Sequence, residues 1–182
     1  SKMDIYVSSS GSDEAGNGSE ASPYKTVGYA VSVIPKTINH NVRIVLPVGE
    51  IFAEDVVING FDGVGNLTLT SSATGTATVH TVTIEHCRCN VSVYYITATA
   101  ATAASSSFVS SNNSGYVLFN SCITTVSAAS GRSFYSAFNA GVTMCQNCTA
   151  ANKQIAFASQ YGWRMICYGG KASGNTTGSY PH

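Results

Sequence analysis

Charge is scarce in this chain of 182 residues: nine Lys and Arg and nine Asp and Glu make up only 10% of it, against roughly 25% in an ordinary globular domain. Surface helices need charged outer faces, so the scarcity argues against a helical protein, whereas stacked strands solvate themselves with the hydroxyls and amides of Ser, Thr and Asn. No apolar run approaches the about 20 residues of a membrane span, and no basic-then-apolar leader opens the chain. Membrane insertion is therefore not expected, and the length suits one domain with its own core. Carboxylates are absent beyond Glu85: Asp4, Asp13, Glu14, Glu20, Glu50, Glu54, Asp55, Asp62 and Glu85 meet only four cations, and Arg88, Arg132, Lys153, Arg164 and Lys171 follow alone. The two parts carry about −5 and +5 within a formal net charge of zero, and no nucleic-acid partner is expected.

What is present is a repeat. Short apolar runs recur at Arg43-Ile44-Val45-Leu46, Leu67-Thr68-Leu69-Thr70, Val91-Ser92-Val93-Tyr94, Val117-Leu118-Phe119-Asn120, Thr143-Met144-Cys145-Gln146 and Met165-Ile166-Cys167-Tyr168. Their third residues, Val45, Leu69, Val93, Phe119, Cys145 and Cys167, are separated by 24, 24, 26, 26 and 22 residues. That is the period of one solenoid coil; a β-sandwich would turn about every 8–12 residues. Gly115, Gly141 and Gly162 each open a run after a stretch led by Phe108, Phe134 or Phe157, so each coil is expected to hold at least two strands divided by Gly/Asn/Ser turns. Three positions past the markers, Val48, Ser72, Ile96, Cys122, Cys148 and Gly170 suit a stacked interior column.

The expected architecture is all-β, a parallel β-helix of about six coils spanning 42–182 behind an N-terminal segment, 1–41, with a lead strand and a short capping helix. The helix is placed from Pro23 to Ile34, with Tyr24, Val27, Ala30, Val31 and Ile34 at helical spacing and Pro35 ending it. The stretch 173–182 holds no comparable plug, so a further segment or a second chain is expected to cover that edge.

The N-terminal residues carry a resemblance. Ile5-Tyr6-Val7-Ser8-Ser9-Ser10-Gly11-Ser12-Asp13, then Gly16-Asn17-Gly18-Ser19, Ser22-Pro23-Tyr24-Lys25-Thr26-Val27 and Ala30-Val31 resemble the opening of right-handed parallel β-helix proteins of the pectate-lyase-like superfamily. Bacteriophage tailspikes, tail fibres and neck appendages begin in this way, as do secreted bacterial polysaccharide-binding and polysaccharide-cleaving proteins. The resemblance implies the right hand, a place in the virion tail or alternatively on the bacterial surface, a bacterial surface polysaccharide as partner, and side-by-side assembly as a homotrimer. The expected function is structural and adhesive; a depolymerase and a secreted adhesin are the alternatives.

Chemistry has few places to sit. Hydrolysis of a polysaccharide needs two carboxylates about 5–9.5 Å apart, and within this chain only Glu50, Glu54, Asp55, Asp62 and Glu85 are available for them. Their ordinary role is as solvated turn residues. The lyase arrangement implied by the resemblance pairs calcium-binding acids with a base, but Arg132, Arg164 and Lys171 lie in coils without acids; Arg43 is expected near Glu50 and Glu54. Glu85-His86 reads as a turn feature, because adjacent strand residues face opposite ways.

Cys87-Arg88-Cys89 and Cys145-Gln146-Asn147-Cys148 suggest halves of a zinc site, but two coils, near 10 Å, separate them. Buried free thiols are preferred to disulfides, and no metal or other cofactor is expected. Six Asn-x-Ser/Thr sequons, from Asn17 to Asn175, read as turn asparagines, with Asn66 and Asn90 stacked before their strands. The remaining candidates are aromatic and cationic: Arg132, Tyr135, Tyr161, Trp163, Arg164, Tyr168 and Lys171 could stack on and hold an anionic glycan, or the rings could pack within the solenoid or against a partner subunit.

Overall fold

Alternation of apolar and polar residues dictates which side of each strand faces in. In Asn66–Thr70, Leu67 and Leu69 are buried while Asn66 and Thr68 look outward, and the pattern recurs in Asn90–Tyr94. The computed structural model describes residues 2–71, 73–99, 106–125, 131–151, 155–161, 164–173 and 177–181. Their strands form three sheets. The first runs Lys2–Tyr6, Asn41–Val45, Asn66–Thr70, Asn90–Tyr94, Val117–Asn120, Thr143–Gln146 and Met165–Tyr168. The second stacks Ala77–Val79, Ile96–Ala98, Ile123–Thr124, Thr149–Ala151 and Lys171–Ser173. The third stacks Asp55–Asn59, Thr81–Glu85, Phe108–Ser111, Arg132–Ala137, Ile155–Gln160 and Thr177–Pro181. Every strand pair is parallel. The chain visits the three sheets in turn and returns one strand further on, which makes it an all-β parallel solenoid.

Register confirms five of the six expected markers: Leu69, Val93, Phe119, Cys145 and Cys167 are successive partners. The first is displaced by one residue. Ile44, not Val45, pairs with Leu69, and Ile44 is fully buried while Val45 is partly exposed. One residue of slip turns a side chain to the other face, and the polar-apolar order Asn41-Val42-Arg43-Ile44 settles it in favour of Ile44. Val48 misses the interior column and stands 46% exposed beyond Pro47, whereas Ile96, Cys122 and Cys148 are buried as expected. Gly170 is exposed, and Ser72 and Gly162 lie outside the described residues.

The helix is shorter than its spacing predicts, covering Val27–Ser32. Asp13 explains the difference: its carboxylate accepts from the amides of Lys25 (2.8 Å) and Thr26 (3.0 Å) and from the Thr26 hydroxyl (2.7 Å), which holds Pro23–Thr26 out of the helix. Thr26 then caps the helix by accepting from Tyr29 N at 3.1 Å. The buried face, Val27, Ala30 and Val31, joins the core against Asn41–Val45 and Asp55–Asn59.

Single residues in the left-handed region turn the chain between sheets. Tyr95, Ser121 and Asn147 follow strands of the first sheet at φ of 56, 54 and 53°, and His86, Asn112, Phe138 and Tyr161 follow strands of the third at 54, 55, 54 and 63°. A conformation normally left to Gly and Asn is thus imposed on three ring-bearing Tyr and Phe residues. Close approach fixes the neighbouring glycines: a Cβ on Gly115 would collide with the Cys89 carbonyl, and one on Gly141 with the Gly115 carbonyl.

Inside, apolar columns give way to a polar ladder. Phe108, Phe134 and Phe157 stack at centroid distances of 4.8 and 5.2 Å and interplanar angles of 5° and 13°. Beside them the column Ile58–Ile84 continues as Ser110–Ser136. The hydroxyls are matched by Asn113 and Asn139, each 1% exposed. Asn113 Oδ1 accepts from Cys87 N at 2.8 Å, Asn139 Oδ1 from Asn113 N at 2.8 Å, and the Asn139 amide donates to Ser110 O and Ser136 Oγ, both at 2.9 Å. Ser110, Ser136 and Thr143 close the network on one another.

Candidate functional site

The early acids are occupied with structure. Glu50 accepts from Ser8 Oγ at 2.9 Å and from the Ser9 amide, tying the N-terminal loop to the first turn of the stack. Burial pushes its carboxyl up, but the hydrogen bonds from Ser9 and Ser8 outweigh this and hold it below the ordinary value. Glu54 accepts from Val27 N (3.0 Å) and Gly28 N (2.9 Å), the first amides of the helix. Asp55 accepts from Thr81 Oγ1 at 2.7 Å and Glu85 from Asn59 Nδ2 at 2.7 Å. Because Asp55 is level with Thr81 and Glu85 with Asn59, these two acids are four residues apart along the strands, about 13 Å. That exceeds the spacing either hydrolytic geometry uses. Asp62 faces Arg88 at 3.7 Å across an exposed pair. Arg43, expected near Glu50 and Glu54, is instead level with Asp4 and binds it through two nitrogens at 3.0 and 2.8 Å. His86 is the exposed left-handed corner after Glu85.

The cysteines are all free, with Cys87, Cys89, Cys122, Cys145 and Cys148 buried and Cys167 exposed. Cys87, Cys122 and Cys148 each follow a left-handed corner and donate their S–H to carbonyls, as Cys148 does to Phe119 O at 3.3 Å. Burial raises the Cys87, Cys122 and Cys145 thiols and pushes Cys89 up to about 12. Such thiols are packing groups and poor nucleophiles. Among the described residues no three His, Cys, Asp or Glu side chains are grouped to hold a metal ion, and no helix is long and apolar enough to cross a membrane.

The aromatic and cationic candidates divide between faces. Arg132 lies over the Tyr135 ring, 4.4 Å from its centroid, and Tyr135 donates its hydroxyl to Gln160 Oε1 at 2.9 Å. Next along the same edge Tyr161, 65% exposed, stacks on Phe138, 48% exposed, at 4.3 Å and 21°. Arg132 and Tyr135 thus stand on the third-sheet strand Arg132–Ala137, and Phe138 and Tyr161 on the corners that follow it and the next strand of that sheet. Arg164, Tyr168 and Lys171 are exposed elsewhere: the Arg164 carbonyl accepts from Thr143 N in the first sheet, Tyr168 ends a strand of that sheet, and Lys171 opens one of the second. Trp163 lies outside the described residues. Phe138 is the residue sequence reading missed; the signal is its place one coil after Asn112 and one before Tyr161, just past the strand.

The outer face of the first sheet carries a second feature, a shallow groove of about 370 Å³ past Asn41, Asn66, Asn90, Thr68, Ser92 and Tyr94. Asn66 and Asn90 are level with each other as expected, each opening a strand; Asn66 Nδ2 donates to Asn41 Oδ1 at 3.2 Å and Tyr116 N to Asn90 Oδ1 at 3.1 Å. Compared with protein-family models, curated proteins and solved structures, the chain matches none.

Proposed function

We propose that this chain is a segment of a bacteriophage tail appendage, a tailspike or fibre, whose right-handed β-helix of six coils presents a binding surface to a bacterial surface polysaccharide without cleaving it. The observation that carries the binding reading is the Phe138–Tyr161 stack. Both rings sit on corners with φ of 54° and 63°, where a non-glycine residue costs roughly 1–2 kcal/mol, yet both face water. Flat, exposed, mutually stacked rings suit the apolar face of a pyranose, and Arg132, at the other end of the strand that Phe138 follows, suits the charge of an acidic sugar further along a glycan. Binding is favoured over depolymerisation because Glu50 and Glu54 are tied to backbone amides and Glu50 is held below its ordinary value, the opposite of what a general acid requires.

The six-coil count is supported by the six first-sheet strands from Asn41–Val45 to Met165–Tyr168, and the right hand by the N-terminal resemblance. Homotrimeric packing fits a stripe of Leu118, Met144 and Ile166, in register on the outer face of the first sheet.

Incubation with immobilised capsular and lipopolysaccharide glycans tests the reading. Binding is expected, to be lost in Tyr161→Ala with the β-rich circular dichroism spectrum intact. Release of oligosaccharides that disappears in Glu50→Gln or Glu54→Gln would sink the binding-only claim, and light scattering giving only a species near 18.9 kDa would sink the trimer.

A further inference from the structure

A pocket at the N-terminal end of the stack is independent of the Phe138–Tyr161 patch. It encloses about 540 Å³ where the first two strands of the first sheet run out into their loops. Tyr6 and Val45, level with each other and facing outward, form its floor, and Pro47 and Val48 extend the apolar wall beyond the strand. Pro47 interrupts the strand pattern here, which is why Val48 turns out to 46% exposure instead of joining the core. Pro23 and the Ser19–Ser22 turn close the opposite side, with Glu20 at the tip of that turn.

Among the residues that line this pocket, the one charged side chain is Glu20. Glu20 lines it and makes no side-chain hydrogen bond or ion pair among the described residues; the Glu50 carboxylate stands behind Ser8. Of the cations on the adjoining strands, Lys2 and Arg43 are both engaged by Asp4, and Lys25, two residues past Pro23, is exposed outside the lining. An acidic sugar would therefore find a carboxylate and no cation in the lining. A ring with one apolar face, several hydroxyls and a positive charge fits better: the ring against Tyr6, Val45 and Pro47, a hydroxyl donating to Ser10 Oγ, its ammonium on Glu20. We infer that this pocket is a subsite for an amine-bearing pyranose, a second sugar-recognition site of opposite charge preference to the one proposed on the third sheet.

The test is a titration of the isotope-labelled chain, followed by amide chemical shifts, with methyl glucosaminide, methyl glucoside and methyl glucuronide up to tens of millimolar. Saturable shifts are expected at Ser10, Val45 and Val48, with the glucosaminide bound about tenfold more tightly than the glucoside and the glucuronide most weakly. Glu20→Gln, at an exposed turn, is expected to abolish the amine preference while leaving glucoside binding, and Val48→Arg to block all three. Tyr161→Ala should change none of these shifts, which separates this site from the patch on the third sheet. No saturable shift from the glucosaminide, equal affinity for glucosaminide and glucoside, or a preference that survives Glu20→Gln would each overturn the assignment.

Discussion

Replacing Asn139 with Ala probes the interior ladder that joins the corners to the third sheet. Asn139 Oδ1 is the acceptor for the buried Asn113 amide at 2.8 Å, and its own amide serves Ser110 O at 2.9 Å. Removing the side chain orphans the Asn113 N–H in a site with no route to solvent, which costs about 1–3 kcal/mol, and forfeits about 1 kcal/mol from the bond to Ser110 O. The hydroxyls of Ser136 and Thr143 are already bonded to each other at 3.0 Å, so they absorb little of the loss but gain nothing either. The sum is about 3 kcal/mol, a large share of the roughly 5–15 kcal/mol that stabilises a domain, and a fall in Tm of roughly 6–12 °C for a chain of this size. Urea denaturation followed by circular dichroism measures it, with hydrogen exchange at the Asn113 amide as the local readout, because stacked coils need not unfold as one unit. Asn112→Ala is the control: Asn112, next to Asn113, is exposed on the corner and makes no side-chain bond among the described residues, so its loss should cost under about 1 kcal/mol. An Asn139→Ala protein within about 1 kcal/mol of the parent, with Asn113 still protected, would refute the claim that the ladder holds these coils together.

Three further outcomes follow from the same geometry. Phe134→Ala removes the middle ring of the Phe108–Phe134–Phe157 stack and should cost about 3–5 kcal/mol, read as a lower urea midpoint with unchanged slope. Gly141→Ala sets a Cβ against the Gly115 carbonyl, which belongs to backbone and cannot swing aside; a loss above about 2 kcal/mol or failure to fold is expected, and a neutral result would mean the coils are spaced more loosely than the structure has them. The Arg43 hydrogen bonds hold the Asp4 carboxyl below its ordinary value, so their stabilisation is complete above the unfolded carboxyl's pKa and lost as the pH falls through the lowered one, below about pH 4. Arg43→Met should return the Asp4 pKa upward in an NMR titration, at a stability cost of no more than about 1 kcal/mol for so accessible a pair.

The acids show why the site was less legible than the fold. Glu50 and Glu54 are close in sequence, yet one serves the loop at Ser8–Ser9 and the other the helix at Val27–Gly28, partners 42 and 26 residues away respectively. Nothing in their local pattern names those partners. Arg43 was assigned to the wrong acids for the same reason: its partner was decided by the register of Lys2–Tyr6 on Asn41–Val45. The Asn113–Asn139 ladder was readable in principle, since the two are one coil apart, but Asn is also the usual turn residue and its neighbour Asn112 takes the corner.

The repeat of short apolar runs determined by itself that this chain stacks parallel strands, because runs about 25 residues apart cannot bury their inward side chains except against the next coil. It also determined which residues form most of the core, since period-two alternation leaves one choice of face once a marker is placed. Tertiary structure alone decided the rest: the one-residue shift at Ile44, the helix shortened by Asp13, the separation of Tyr168 and Lys171 from the Phe138–Tyr161 patch, and the pocket between Tyr6 and Glu20. Each depends on distances across loops whose lengths vary from coil to coil. A periodic pattern specifies what stacks above and below a residue, but not what a loop places beside it.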